Sequence, residues 1–180
     1  MVTVLPTLAV ILSAAVALSD VYARRVPNAW LVAVILLAIV VTVAQWITGT
    51  TALVWPSAWG FVIGLAAMLP FYAIRWMGAG DVKLFATLGF LLGAHALLPI
   101  WAIGCLLTGL QSLAILLFRI PRLAYAPGMI MMRERLHAWP LWQQVQHARQ
   151  GRTGQPHAAW LGIATILVVL HPELTHWGQP

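Results

Sequence analysis

The chain has 180 residues, of which 62% are hydrophobic and 8% charged, with a net charge of +6. A soluble domain carries about 25% charged residues, so a soluble enzyme, a disordered tail and a nucleic-acid-binding domain are poor readings. The composition instead fits an all-α, multi-span membrane protein forming one bundle, with basic loops facing one side of a bilayer.

A helical span needs roughly 20 mostly apolar residues. Six are predicted: Thr3–Ser19, Ala29–Ile47, Ala52–Ile74, Val82–Ala94 (or on to Leu98), Pro99–Phe118 and His157–Leu174. No positive side chain precedes the first, and further spans follow it, so it reads as a span rather than a signal peptide. The loops alternate in charge. Arg24 and Arg25 follow span one, Arg75 follows span three and Lys83 stands at the start of span four. Arg119, Arg122, Arg133, Arg135, Arg149 and Arg152 follow span five, and the loops between carry no basic residue. All ten basic residues thus fall on one side, which the positive-inside rule makes cytoplasmic, with both termini on the other. Trp30, Trp46, Trp55, Trp76 and Trp177 lie near span ends, as an interfacial belt requires.

The segment 119–156 is the one sizeable extramembrane piece of a single domain covering 1–180. Its stretches Gly128–His137 and Leu141–Arg149 mix Met, Leu and Trp with Arg and His. They fit an amphipathic surface lying on anionic lipid, or one that docks a membrane-bound substrate. His95, His137, His147, His157, His171 and His176 are scattered over both sides and suggest no metal site. The single cysteine, Cys105, lies in an apolar run and allows neither an intrachain disulfide nor a CxxC site.

Only two aspartates occur, Asp20 after span one and Asp81 after span three. Two further crossings return the chain to the same face, so parity puts both carboxylates at the cytoplasmic end of the bundle. Only 37 residues, 82–118, supply the next two spans and their turn, where two full spans need roughly 40. Asp81 is therefore expected at or slightly below the membrane surface, where an ionisable group is a functional candidate. Each aspartate also has a structural reading: Asp81 as a helix N-cap, Asp20 as the partner of Arg24.

Two carboxylates brought close do not both ionise easily. The ionised one can activate a water and the protonated one can donate to a carbonyl oxygen, which hydrolyses a peptide bond without metal or nucleophilic side chain. The glycines of Met77-Gly78-Ala79-Gly80-Asp81 either offer a backbone edge to an extended substrate or make a tight turn. Lys83, the only lysine, either snorkels to headgroups or biases the nearby carboxylate toward ionisation.

At these residues the sequence resembles a known family. Gly78-Ala79-Gly80-Asp81-Val82-Lys83-Leu84, followed by Gly89 and Gly93, is similar to the GxGD-x-K-L signature of type IV prepilin peptidases. Asp20 and Arg25-Val26-Pro27-Asn28 resemble their first motif, an aspartate ending helix one, then a basic residue and Ile/Val-Pro-Asn. A third stretch, Gln155–Gly162, resembles the start of the family's last helix only weakly: His157 and Ala158 stand where Tyr-Gly is usual, and no role carries over to them. The resemblance implies an aspartic endopeptidase of the bacterial inner membrane with Asp20 and Asp81 as its catalytic pair. Gly78, Gly80, Lys83, Arg25, Pro27 and Asn28 would support the site. Its partners would be membrane lipid and membrane-inserted prepilins or pseudopilins of a pilus or type II secretion system. Their leader is cut at the cytoplasmic face, with no cofactor, metal or nucleic acid.

The length is similar to that of the short peptidases of tight-adherence pili. No paired-cysteine domain is present, so no methyltransferase activity is expected. The rivals are a proton-coupled transporter, for which Thr108, Gln111 and Ser112 in span five are the main further polar residues, and a non-catalytic assembly subunit. A third is an intramembrane protease of another GxGD type. Those usually carry Tyr before the first aspartate, where this chain has Ser19.

Overall fold

A computed structural model describes residues 4–49, 55–120, 127–151 and 155–175. Among them the regular elements are α1 (Val4–Ala23), α2 (Asn28–Ile47), α3 (Ala58–Ala73), α4 (Ala79–Leu92), α5 (Ala94–Phe118), α6 (Pro127–Ala138), α7 (Pro140–Arg149) and α8 (His157–Leu170), then a 3-10 turn at Pro172–Thr175. Helices α1, α2 and α5 are long and apolar enough to cross a membrane, and α3 and α8 are shorter apolar helices. The predicted belt residue Trp177, with His176, Arg122 and Arg152, lies outside the described residues.

Each of the six predicted apolar segments contains a helix, but the ends differ for local reasons. Helix α1 runs past Ser19 and takes Asp20 into its last turn. Arg24, at φ 53°, closes it by donating its N–H to the Asp20 carbonyl at 3.0 Å, the single bond of an αL cap. Helix α4 starts at Ala79 rather than Val82, which draws Asp81 into its first turn. Helix α5 begins at Ala94 rather than Pro99, separated from α4 by Gly93 alone at φ 87°. The last helix stops at Leu170 and not Leu174. The segment read as a basic loop carries α6 and α7.

Fourteen residues of α4 rise about 21 Å, less than the roughly 30 Å of a hydrocarbon core. The bundle also buries and exposes residues as a lipid-facing protein must. Val32, Leu36, Val40, Val43 and Ile47 form an exposed stripe on α2, and Leu106, Leu110, Leu113 and Leu117 one on α5. At helical spacing, an outward apolar stripe is the inverse of a water-facing helix.

The most extensive helix contacts are α3 with α4 and α1 with α8. Small residues permit both. Gly60 and Gly89 bring α3 and α4 into backbone contact, and a Cβ on either would overlap the other's carbonyl. A Cβ on Gly162 of α8 would stand 3.3 Å from the Ala17 side chain and 2.7 Å from the Ser13 carbonyl of α1. Such close approach is how helices associate where apolar burial gives no drive. The start of α1 and the end of α8 share the bundle end where α4 meets α5, as Leu5, Leu92, His95 and Val168 line one pocket there. The aspartates lie at the other end.

Candidate functional site

Asp20 is 7% exposed. Its Oδ2 accepts a 3.0 Å hydrogen bond from the Ala159 N–H in the first turn of α8, and the Ala158 N–H contributes beside it. Helix α8 begins at Pro156, which offers no side-chain cap, so its first-turn N–H groups need an acceptor from elsewhere. Asp20 supplies it across 139 residues of sequence, and the positive end of the helix favours a carboxylate there. The expected Asp20–Arg24 contact pair is not formed: among the described residues the one ion pair within 4 Å is His171–Glu173. Arg24 acts on Asp20 through space, as does Arg149 of α7.

Asp81 is the third residue of α4 and not its N-cap, which is Gly78. Its Oδ2 accepts from the Gly78 N–H at 3.2 Å, while its own N–H donates to the Gly78 carbonyl at 3.1 Å. This is the carboxylate half of a capping box, with glycine in place of the usual hydroxyl residue. The side chain is half-buried and near enough to Asp20 for the two to interact electrostatically.

Both aspartates line one open cleft of about 1190 Å³. Around them stand Arg24, Val26 and Asn28 from the first motif, Gly78, Gly80 and Lys83 from the second, and Thr108, Gln155 and His157 from α5 and the approach to α8. The two motifs touch directly. Lys83 Nζ donates to Asn28 Oδ1 at 3.2 Å, and Gly80 leaves room for Val26, whose Cγ2 would lie 3.0 Å from an added Cβ. Arg25 and Pro27 shape the turn without lining the cleft. The Arg25 carbonyl accepts from Ser19 Oγ at 2.9 Å, and Pro27 stands at the N-cap of α2.

Thr108, Gln111 and Ser112 of α5 all bond to α8 or its approach. Thr108 Oγ1 lies 2.8 Å from His157 Nδ1, Trp160 Nε1 donates to Gln111, and Gln155 Nε2 donates to Ser112 Oγ at 2.8 Å. Thr108 donates its one hydroxyl hydrogen to the Gly104 carbonyl at 2.8 Å, so His157 Nδ1 is the donor to Thr108. These polar residues form an interhelical seam, which accounts for them without a proton relay. The α8 start, with His157 and the Ala159 N–H, belongs to the site although the sequence assigned it no role. The available signal was an apolar helix beginning on proline without a cap of its own. Among the described residues no group of three or more His, Cys, Asp or Glu could hold a metal ion.

Comparison with known proteins returned one family. The model of the type IV leader peptidase family matches residues 7–113, a stretch that includes both aspartates. No curated protein and no solved structure matches the chain.

Proposed function

The chain belongs to the type IV leader peptidase family, and from that premise we propose that it is a membrane aspartic endopeptidase acting through Asp20 and Asp81. The observation that carries this reading is that the two aspartates of the chain, 61 residues apart in sequence (81 − 20), line one cleft. The substrates are membrane-inserted prepilins or pseudopilins of a pilus or type II secretion system. Their leader junction reaches the cleft from the cytoplasm. The setting is the bacterial inner membrane, with six spans in one domain, both termini on the far side and the arginine-rich segment 119–156 on the cytoplasmic side. Methyl transfer is not part of the activity.

The surroundings suggest a division of labour. Asp20 has a backbone N–H from α8 and the charges of Arg24 and Arg149 around it. It is the base that draws a proton from the attacking water. Asp81 has one N–H and the opposing charge of Asp20. It donates to the scissile carbonyl oxygen and takes that proton back as the carbonyl re-forms, while Asp20 passes the proton drawn from water to the leaving amine. Atoms balance: water adds across the C–N bond, and the pair ends with the protons it began with. Gly78 and Gly80 border the cleft and put no side chain between it and an extended substrate segment.

Cleavage of a co-expressed prepilin by wild type, Asp20→Asn and Asp81→Asn, each checked for membrane insertion, tests the reading. Leader loss with wild type and a fall of roughly 10³-fold with either variant is expected. Cleavage that persists in either variant overturns the pair.

A further inference from the structure

The helix that carries Asp20 ends with carbonyls that no intrahelical N–H reaches, that of Val21 among them. Its αL cap satisfies the Asp20 carbonyl through the Arg24 N–H, but this motif provides no backbone donor for the next carbonyl, that of Val21. Arg149 supplies it: Nη2, from the last residue of α7, donates to the Val21 oxygen at 2.8 Å. The guanidinium is half-buried and lies 5.5 Å from the centre of the Trp142 ring, one to two turns back on the same helix. Helix α7 also packs on α1, whereas among the described residues α6 packs on α7 alone. A cation at a helix C-terminus is favoured by the helix dipole.

We infer that Arg149 is a positioning residue for the reaction, capping the C-terminus of α1 so that the Asp20 carboxylate is held against the cleft, which makes α7 part of the catalytic apparatus rather than a lipid-lying loop. This rests on the proposed peptidase reading. The groups facing Asp20 are Arg24 at the end of its own helix, Asp81 from α4, Arg149 from α7 and the first-turn N–H groups of α8. Burial first, and then Arg24, pull the Arg149 guanidinium below its ordinary range, with Asp20 opposing both. Asp20 thus offsets part of what burial and Arg24 cost the Arg149 charge. Arg24 Nε and Nη1 and Arg149 Nε are buried without a hydrogen-bond partner.

The test uses the full chain in detergent, with Arg149→Ala, Arg149→Gln and Arg149→Lys. Two readouts are taken. The first is prepilin cleavage across pH. Arg149→Ala and Arg149→Gln are expected to lower kcat about tenfold with KM within about twofold, and to move the acidic limb upward. Arg149→Lys, which keeps the charge, is expected to return the limb toward wild type. The second readout needs no activity: the rate at which a hydrophobic carbodiimide modifies Asp20 and Asp81, read by mass spectrometry at fixed pH. Such a reagent attacks the protonated carboxyl. Loss of the Arg149 charge should raise modification of Asp20 by about threefold or more, and that of Asp81 by less. If Asp20 modification and the pH profile are unchanged in all three variants, the inference is overturned. An equal loss of kcat in all three with no shift of the limb assigns Arg149 a structural role only, and also overturns it. If wild type cleaves nothing, the peptidase reading fails on the first readout, and the second still decides whether Arg149 governs Asp20.

Discussion

The two helix pairs that carry the aspartates are built by opposite means. Helices α3 and α4 meet through bare backbone at Gly60 and Gly89, and Asp81 is held by its own helix three residues from its partner Gly78. Helices α1 and α8 also pack through a glycine, but Asp20 is held from elsewhere, by the Ala159 N–H and beside Arg149. One carboxylate is placed by local sequence and the other by tertiary structure. Contacts between the pairs are fewer than within them, and beside the packing of α4 on α1 and α8 they are joined where Val26 meets Gly80 and Asn28 meets Lys83. Substitutions in the two halves should therefore fail differently.

The largest effect is expected from removing either titrating group. Asp20→Asn and Asp81→Asn should each reduce prepilin cleavage roughly 10³-fold. The comparison is sharpened by the unfolding behaviour of a further variant. Asn remains a good acceptor for a helix N-terminus, so Asp20→Asn should leave thermal stability in detergent nearly unchanged. Asp20→Ala leaves the α8 first turn uncapped and should cost about 1 kcal/mol. If Ala and Asn at position 20 melt alike, Asp20 does not cap α8.

Next in size is the backbone contact. Gly89→Ala puts a Cβ onto the Gly60 carbonyl, with no flexible side chain to move aside. It should destabilise the chain by at least about 1–3 kcal/mol, measured as a lower midpoint of thermal unfolding. The joint should respond more mildly. Gly80→Ala crowds Val26 at both Cγ2 and Cβ, 3.0 and 3.1 Å away, so the Val26 segment must shift by a few tenths of an ångström; stability should fall less than for Gly89→Ala, while cleavage falls about tenfold through misplacement. Combining it with Val26→Gly, which removes both crowding atoms, should recover most of the activity. A double variant no better than Gly80→Ala would mean that the glycine serves the substrate and not the joint.

How much could be read from the sequence follows the same division. The apolar segments announced the helices, since a run of apolar residues without charges has few other solutions. Asp81 and its glycines were legible as a helix start because the arrangement lies within four residues, although the sequence suggested Asp81 as the N-cap and the structure has Gly78 there. Parity alone brought Asp20 to the same end as Asp81. What supports Asp20 was not legible: His157-Ala158-Ala159 reads as the opening of one more apolar helix, and a backbone N–H leaves no mark in a sequence. Arg149 read as one of six arginines on a surface segment, because nothing near it in the chain shows that Val21 needs a donor. Helix ends were misjudged for a related reason. Asp20 looked like a terminator of α1, but a carboxylate with a donor from another helix can sit inside the last turn.

The smallest effect should come from the end of the bundle away from the cleft. His171 Nδ1 and Glu173 Oε1 lie 3.0 Å apart, with side chains 57% and 70% exposed. The backbone of Glu173 itself and then the His171 ring hold the Glu173 carboxyl below its usual range. A depressed carboxylate contributes whatever stability it has above its unfolded value and loses it as the pH falls. At such exposure, water and salt screen the pair. His171→Ala should therefore leave cleavage and the unfolding midpoint unchanged at neutral pH, in contrast to every substitution at the joint. A loss of activity in this variant would mean that the far end of α8 communicates with its first turn. The Asp20 cap would then depend on the whole helix rather than on the N–H groups that touch it.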